Sequence, residues 1–348
     1  MADATIAVLT DSTAAHLEGY LAGLRDSPDV SGVVVADPSG ESEATARKIL
    51  GERLVGFERQ HAKLLEQVRP AMALVTLEAS RSPPLIEMAL DANCHVLAEK
   101  PSCVRIADFR ALARLADMKH RHLMLALANR LLPTMQVARE MITRGDFGKL
   151  YGCELHIVAD QTRLKNPSYH QSWYADRERA GGGHLMWLGI HWVDLVMYLT
   201  GQSIVEVCGF AGIVGGQPLK IEDSAAMAVR FENGMFGTVT SGYYLDKGYH
   251  SHIKIWGADG WVQLDPHGGE ALQWYRGGRS DARVERYEGP AVAGNYTPLV
   301  QAAIRASLDR SMPPISTAES LRVLETIFAC YQASQRSEEH TSELQSRG

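Results

Sequence analysis

Apolar and polar positions alternate in blocks over the first 128 residues. Short, almost wholly apolar runs predict strands at residues 5–9, 32–36, 54–55, 71–77, 95–98 and 122–127. Helical periodicity predicts the intervening helices at residues 17–24, 41–50, 62–68, 84–92 and 106–118. Strands that are apolar throughout are buried on both faces, as in a parallel sheet covered by helices on each side. The pattern therefore predicts an α/β domain with a doubly wound parallel sheet, whose ligands bind at the carboxyl ends of the strands.

From about residue 150 the strands become longer and alternate between apolar and polar positions. They are predicted at residues 151–158, 225–231, 236–243 and 252–256. Asn233-Gly234 is typical of a hairpin turn, and residues 257–260 join a further pair of strands. Two helices follow, at residues 297–309 and 317–334. This half is predicted to be an α+β domain with a large, open, mostly antiparallel sheet.

The predicted boundaries are 1–128 for the doubly wound domain and 129–335 for the α+β domain. Residues 336–348 resemble the translation of a common sequencing adapter. We expect them to form a disordered or incidental tail outside the fold.

A helical period begins directly after the glycine triplet at residues 181–183. One face of this helix is apolar and is expected to be buried: Leu185, Met186, Gly189, Ile190, Val193, Val196 and Met197. The next face carries His184, Trp187, His191 and Asp194. These four residues are either the wall of a site or an ordinary polar surface stripe. The two histidines lie about 10.5 Å apart along the axis, too far for one zinc ion, so no metal site is predicted.

Composition and charge argue against some classes of binding partner. The formal net charge of -6 argues against nucleic acid and against an anionic membrane surface. The five cysteines form no CxxC pair, which fits reduced thiols in a cytoplasm. With no basic leader-like start and no apolar run of membrane-spanning length, cytoplasmic localisation is expected.

The strand at residues 95–98 runs into Glu99-Lys100-Pro101. A residue before proline is held in an extended or turn geometry, with a trans or a cis bond open. If Lys100 is partly desolvated beside a cofactor cation, its pKa is lowered and it can act as a general base. The alternative is a solvated loop lysine.

Several segments together resemble the glucose–fructose oxidoreductase / inositol dehydrogenase / rhizopine catabolism family, Gfo/Idh/MocA. They are residues 92–101, 129–130, 145–150, 181–183 with His191 and Asp194, 221–224, 231–234 and 256–260. The resemblance implies a Rossmann domain that binds NAD or NADP and a second domain that binds a sugar or cyclitol. It also implies association into dimers or tetramers through the large sheet.

The cofactor contacts implied by the resemblance depart from the family at one loop. Residues 10–15 occupy the positions of G-x-G-x-x-G/A, and only Ala15 fits. Thr10 and Ser12 add bulk where phosphates should lie, although their hydroxyls can donate at a helix N-terminus, whereas Asp11 adds a negative charge. Asp37 corresponds to the family's ribose-binding acid, which favours NAD over NADP. The other expected cofactor contacts are Leu77, Glu99, Lys100 and Asn129, and His16 faces either cofactor or solvent.

The implied catalytic residues are Lys100 and His191. The family's aspartate, four residues before that histidine, is Trp187. Trp187 cannot accept a proton, but it offers a surface for sugar stacking. Asp194 either orients His191 or is structural. The expected substrate contacts are Arg163, Trp173, Tyr174, His184, Trp187 and His191. The loop before the glycines also contains Tyr169 and His170, and its residues equally fit simple packing on the sheet.

The hypothesis is an NAD(P)-dependent oxidoreductase that transfers a hydride at a sugar, cyclitol or sugar-derivative hydroxyl. Lys100 or His191 then exchanges the hydroxyl proton. One alternative is an NAD-dependent enzyme that cleaves glycosides through oxidation, elimination and re-reduction, without net redox change. Another is a non-catalytic Rossmann-type protein whose altered loop no longer binds the dinucleotide.

Overall fold

The structure, a computed structural model, describes residues 4–267, 271–278, 280–289 and 296–345, with side chains as far as Arg336. The chain divides into two compact units. Within the described residues, the first unit comprises 4–131, 178–181 and 296–321, and the second comprises the remainder.

A six-stranded sheet forms the centre of the first unit. Its strands are β1 (Ala4–Thr10), β2 (Val30–Ala36), β3 (Leu54–Glu58), β4 (Met72–Thr76), β5 (His95–Ala98) and β6 (Leu123–Leu125). All are parallel, in the order β3-β2-β1-β4-β5-β6. The strand order reverses between β1 and β4, and in such sheets ligands bind beyond the carboxyl ends of the strands at that point. The predicted doubly wound parallel sheet is confirmed.

The helices α1 to α5 connect these strands. Their bounds are α1 (Leu17–Arg25), α2 (Glu43–Leu50), α3 (His61–Val68), α4 (Ser82–Asp91) and α5 (Ile106–Met118). They match the predicted helices to within two residues at each end, because each has an apolar stripe that the sheet buries.

One late helix belongs to the first unit, which corrects the predicted domain boundary. This helix, α10 (Thr297–Ser307), packs against α1. The approach is close because α1 offers glycines: a Cβ on Gly23 would lie 3.0 Å from Val300. Residues 129–335 therefore do not form one continuous second domain.

An eight-stranded sheet dominates the second unit. Its strands are β7 (Leu150–Asp160), β8 (Ile204–Gly212), β9 (Ser224–Phe231), β10 (Phe236–Leu245), β11 (Tyr249–Gly257), β12 (Gly260–Leu264), β13 (Leu272–Arg276) and β14 (Val284–Arg286). The order is β14-β13-β12-β11-β7-β10-β9-β8, parallel at β7–β10 and antiparallel at the other described pairs. The hairpin turn joins β9 and β10, with Gly234 at φ 85°. The predicted mostly antiparallel sheet is confirmed, although β8, β13 and β14 escaped prediction.

Helix α6 (Pro133–Thr143) was not predicted, and two single-turn helices follow, α7 (Pro167–His170) and α8 (Arg177–Ala180). The helix after the glycines begins with a π-helical turn, Leu185–Gly189, and continues as α9 (Ile190–Thr200). Its predicted apolar face is buried at all seven positions. The helix contacts β7, and its π-helical turn contacts β10.

The last helix, α11 (Thr317–Gln345), runs past its predicted end at residue 334. The expected disordered tail is therefore helical as far as Gln345, in keeping with a segment that contains neither proline nor glycine. Residues 346–348 lie outside the described residues, and the adapter origin of this segment stays a prediction.

Within the described residues, none of the helices combines the length and the apolar character needed to cross a membrane. All five cysteines are free thiols.

Candidate active site

The loop between β1 and α1 turns its polar side chains back onto the first unit. The buried Thr10 hydroxyl donates to the Thr76 carbonyl on β4 at 2.8 Å. The Asp11 carboxylate accepts the Thr13 N–H at 2.7 Å and pairs with Arg81 at 2.6 Å. The expected obstruction by Thr10 and Asp11 is thus absent, since the threonine points at the neighbouring strand and the aspartate charge is paired.

The start of α1 fits an anion. Its first intrahelical bond runs from the Tyr20 N–H to the His16 carbonyl, so the N–H groups before Tyr20 have no acceptor within the helix. Ser12 is exposed beside this end. A cavity of about 460 Å³ lies here, lined by Asp11, Ser12, Ala14, His16, Leu17, Glu18, Gly19, Glu41, Ser42 and Thr45. Backbone donors and the helix dipole can hold the pyrophosphate of a dinucleotide without the glycine fingerprint.

Asp37 has no accessible surface. Its carboxylate accepts the backbone N–H and the hydroxyl of both Ser39 and Ser42, at 2.6–2.9 Å. Burial raises the pKa of this carboxyl, but the four hydrogen bonds outweigh burial and lower it to about 2. Four bonds fill the lone-pair sites of a carboxylate. In this conformation Asp37 holds the β2–α2 loop and cannot also accept hydrogen bonds from a ribose. Its position therefore does not favour NAD over NADP.

Glu99 and Lys100, at the carboxyl end of β5, are 3% and 4% exposed. The Lys100–Pro101 bond is cis, one of the two geometries left open by the sequence. Burial excludes the alternative of a solvated loop lysine. The Glu99 carboxylate accepts hydrogen bonds from the Tyr20 hydroxyl and from His16 Nδ1, the latter at 3.1 Å.

The remaining cofactor candidates lie near the same edge of the sheet. His16, left open between cofactor and solvent, faces Glu99, and its ring is 43% exposed. Leu77 is buried directly after β4. Asn129 is half-buried in the short 3₁₀ turn Ala128–Leu131 that follows β6.

In the second unit, the glycine triplet permits a helix cap. The Glu222 carboxylate accepts the N–H groups of Gly183 at 2.7 Å and Leu185 at 3.0 Å, and the Tyr331 hydroxyl at 2.8 Å. A Cβ on Gly183 would lie 1.9 Å from the Glu222 carbonyl oxygen, and one on Gly182 2.1 Å from the Tyr331 hydroxyl. Glu222 lies in one of the family-like segments, but the sequence alone suggested no role for it.

His184 is a core residue, which corrects its assignment as a substrate contact. It has no accessible surface, and its Nδ1 lies 2.6 Å from the Ser241 hydroxyl. Burial, with the nearby Arg163 charge, lowers the pKa of His184 to about 3, so the ring is neutral near pH 7. In the described part of the chain, no three histidine, cysteine or acidic side chains are grouped to hold a metal ion.

Trp187 belongs to an aromatic cluster. The rings of Trp173 and Tyr174 stack with their centroids 3.9 Å apart. Trp187 meets both rings edge-on, at 5.2 and 5.0 Å. Trp173 and Trp187 are buried, so packing occupies most of their surface, whereas Tyr174 is half-buried and accessible.

The polar face of the helix therefore separates into two kinds of position. His184, Trp187 and Asp194 are buried, so a surface stripe is excluded. His191, the second residue of α9, is half-buried and accessible to a ligand. Arg163, in the loop after β7, is exposed with its guanidinium carbon 5.5 Å from the centroid of the Tyr243 ring.

Family profiles match both units. Residues 11–127 match an oxidoreductase family with an NAD-binding Rossmann fold, and residues 135–263 match the GFO/IDH/MocA C-terminal domain. The chain belongs to the GFO/IDH/MocA family. The resemblance drawn from the sequence is thereby confirmed.

Characterised relatives in this family are distant. The chain is 28% identical over 161 residues to D-glucoside 3-dehydrogenase of Escherichia coli, covering 42% of the chain and 44% of that protein. It is 22% identical over 206 residues to myo-inositol 2-dehydrogenase of Thermotoga maritima, covering 58% and 59%. The chain is 24% identical over 236 residues to D-xylose 1-dehydrogenase of Haloarcula marismortui, covering 66% of the chain and 61% of that protein. The name of this relative specifies NADP(+). The matches thus span about half to three-fifths of these relatives.

Solved structures share the fold over nearly the whole chain. An oxidoreductase domain protein from Kribbella flavida superposes with a TM-score of 0.85 at 21% identity, covering 97% of this chain and 98% of that one. Levoglucosan dehydrogenase in complex with NADH and levoglucosan gives 0.83 at 16%, covering 95% and 97%. At these identities the likeness shows the fold alone.

Proposed function

We propose that this member of the GFO/IDH/MocA family is a nicotinamide-dependent oxidoreductase acting on a hydroxyl of a sugar, cyclitol or sugar derivative. The observation that carries the proposal is the buried Glu99-Lys100-Pro101 at the carboxyl end of β5. Relatives named as glucoside, xylose and inositol dehydrogenases support this substrate class.

The protein's own residues bind the substrate and move a proton. Bound NAD supplies the carbon that accepts or gives the hydride. Lys100 or His191 exchanges the proton of the reacting hydroxyl, since both carry a basic nitrogen and Trp187 does not. Arg163 and Tyr174 are proposed to contact the substrate, because they are the accessible members of the predicted set apart from His191.

We propose NAD as the preferred cofactor, on a different ground from Asp37. Glu18 and Glu41 are exposed and line the cavity at the start of α1. Carboxylates can accept hydrogen bonds from ribose hydroxyls, whereas they repel the additional phosphate of NADP. Among the described lining residues of this cavity there is no lysine or arginine.

Glycoside cleavage without net redox change is the second candidate. Trp187 favours glycoside cleavage, because this position lacks the proton-transferring aspartate of the family.

Free cysteines support a cytoplasmic location. Exposed aromatic side chains on the open sheet face, Phe210 and Phe236 among them, support association of copies into a dimer or tetramer.

The proposal is tested first by nucleotide binding. NADH and NADPH are titrated into the full chain by fluorescence, and a panel of sugars, cyclitols and aryl glycosides is then assayed with NAD and NADP. We expect binding and sustained NADH formation with a sugar or cyclitol. Turnover of aryl glycosides without NADH accumulation supports the second candidate. If neither dinucleotide binds at millimolar concentration, the oxidoreductase proposal fails and the non-catalytic Rossmann-type alternative is favoured.

A further inference from the structure

Arg163 is held against a buried aromatic ring. Its guanidinium carbon lies 5.5 Å from the centroid of Tyr243, a favourable cation–π arrangement. The Tyr243 ring is itself fixed, since His184 packs perpendicular to it at 4.4 Å and its hydroxyl is hydrogen-bonded to Tyr169. The arginine, although exposed, is therefore placed by the core rather than by a flexible loop.

This arginine has no ion-pair partner in the part of the chain that the structure describes: no carboxylate lies within 4.0 Å of its guanidinium. Asp160 is close enough to interact electrostatically, but its carboxylate accepts the N–H groups of Thr162 at 3.0 Å and Gly248 at 3.1 Å. The positive charge of Arg163 also contributes to the lowered pKa of the neighbouring His184. Within the described residues, the loop thus presents a cation that no carboxylate contacts.

Three tyrosines lie near this cation. Tyr169, Tyr243 and Tyr249 all interact electrostatically with Arg163. Tyr249 is 38% exposed, so it can donate to the same ligand. A guanidinium presents planar donors that match two oxygens of a carboxylate or a phosphate. A neutral hydroxyl uses only one such donor and leaves the charge unpaired.

We propose that Arg163 binds the carboxylate or phosphate of an anionic sugar derivative, so that this enzyme prefers acidic to neutral substrates. The inference that the ligand is a sugar rests on the proposed function. The inference that the ligand is an anion rests on residues of the second unit alone. Tyr174 supplies an accessible aromatic surface in the same loop region, with its ring 6.3 Å from that of Tyr169 and stacked on the buried Trp173 at 3.9 Å. A ring substrate can meet that surface while its acidic group meets Arg163.

The test compares matched neutral and acidic sugars. The full chain, saturated with whichever dinucleotide binds, is titrated calorimetrically with glucose, galactose and mannose, with the corresponding uronates, and with the corresponding 6-phosphates. We expect at least one acid to bind about 10- to 100-fold more tightly than its neutral counterpart, the range for hydrogen bonds to a charged group. Uronates and phosphates are compared separately, which identifies the anion.

Variants assign the effect to the residue. Arg163→Gln should remove the preference for the acid, and Arg163→Lys should retain part of it. Lys165→Gln, a neighbouring exposed cation in the same loop, is the control and should keep the preference. Thermal unfolding of each variant checks that the fold is intact. Equal binding of acids and neutral sugars, or a preference that persists in Arg163→Gln, overturns the inference.

Failure of the proposed function is distinguished in the same experiment. If neither NADH nor NADPH binds, the oxidoreductase proposal fails. The titrations repeated without nucleotide then still decide whether Arg163 selects an anion.

Discussion

The Glu222 carboxylate accepts the backbone N–H of Gly183 at 2.7 Å, across 39 residues of sequence. This bond, with a second to the Leu185 N–H, caps the helix that leads to His191. The cap needs close approach of two backbones, because a Cβ on residue 183 would lie 1.9 Å from the Glu222 carbonyl oxygen.

Gly183→Ala should therefore destabilise the protein by about 2 kcal/mol or more, since the contact is with backbone and cannot be relieved by a rotamer change. Urea unfolding measures the difference. Gly212→Ala is the matched control, because a Cβ there meets nothing within 4 Å. Equal stabilities of the two variants would contradict the proposed reason for the glycine triplet.

Asp37→Asn should lower stability at pH 7 by about 2 kcal/mol. A carboxyl whose pKa falls from 3.8 to about 2 on folding is worth 1.36 kcal/mol per pKa unit. Because the folded pKa is depressed, this stability is fully present above pH 4 and is lost as the pH falls toward 2. Urea unfolding at several pH values should show the variant approaching the wild type in acid. Asp26→Asn, at an exposed pair with Arg25, is the control and should change little.

Glu41→Lys should shift cofactor preference toward NADPH. The substitution replaces a carboxylate in the α1 cavity by a cation that can pair with a phosphate, and the ratio of Kd values should change by about 10-fold or more. Fluorescence titration with both nucleotides measures the ratio. Glu52→Lys makes the same charge change at an exposed site outside the cavity lining. An equal shift in that control would mean that net charge alone is responsible.

Lys100→Met should lower kcat by about 10²- to 10⁴-fold, the usual contribution of a general acid or base. His191→Asn tests the other candidate in the same assay. Lys48→Met, at an exposed lysine of α2, is expected to keep wild-type turnover. Full activity in both Lys100→Met and His191→Asn would show that the proton is exchanged elsewhere.

Trp187→Asp should not restore the family's catalytic arrangement and should instead destabilise the protein by about 3–5 kcal/mol. The change removes a large buried side chain and places a carboxylate between Trp173 and Tyr174. Thermal or urea unfolding checks it, with Trp187→Phe as the milder variant. A stable aspartate variant with higher activity would contradict this prediction and show that the aromatic cluster can accommodate a carboxylate.

The sequence was sufficient to predict those helices and strands whose structure depends on the pattern of a single segment. The strand at His95–Ala98 and the helix at Ile106–Met118 were predicted to the residue, because an apolar run and an amphipathic period were each uninterrupted. The packing of α10 on α1 was missed, since nothing in residues 297–309 shows which distant helix will bury their apolar face.

The site was predicted less well than the fold. Lys100 and His191 were proposed from short motifs, and their catalytic roles stay predictions, although the burial of Lys100 contradicts a solvated loop lysine. The role of Asp37 was inferred from its position, although Ser39 and Ser42 follow it at the spacing of hydroxyl and amide donors in a tight turn. That signal was present in the sequence. The buried Ser241 partner of His184 lies 57 residues away in the sequence, and no local sequence pattern indicates that the two side chains meet.

The π-helical turn at Leu185–Gly189 has a consequence for evolution and engineering of this helix. Such a turn contains one residue more than the α-helical path, and it commonly marks a functional site. Removing one residue from this turn would therefore leave an ordinary α-helical turn, with His191 still on its present face. Adding one more residue would instead rotate everything downstream by about 100° around the axis, and His191 would move toward the side now occupied by buried neighbours such as Trp192. The direction of that imidazole thus depends on the number of residues in the turn, and a one-residue insertion here should be more damaging than a one-residue deletion.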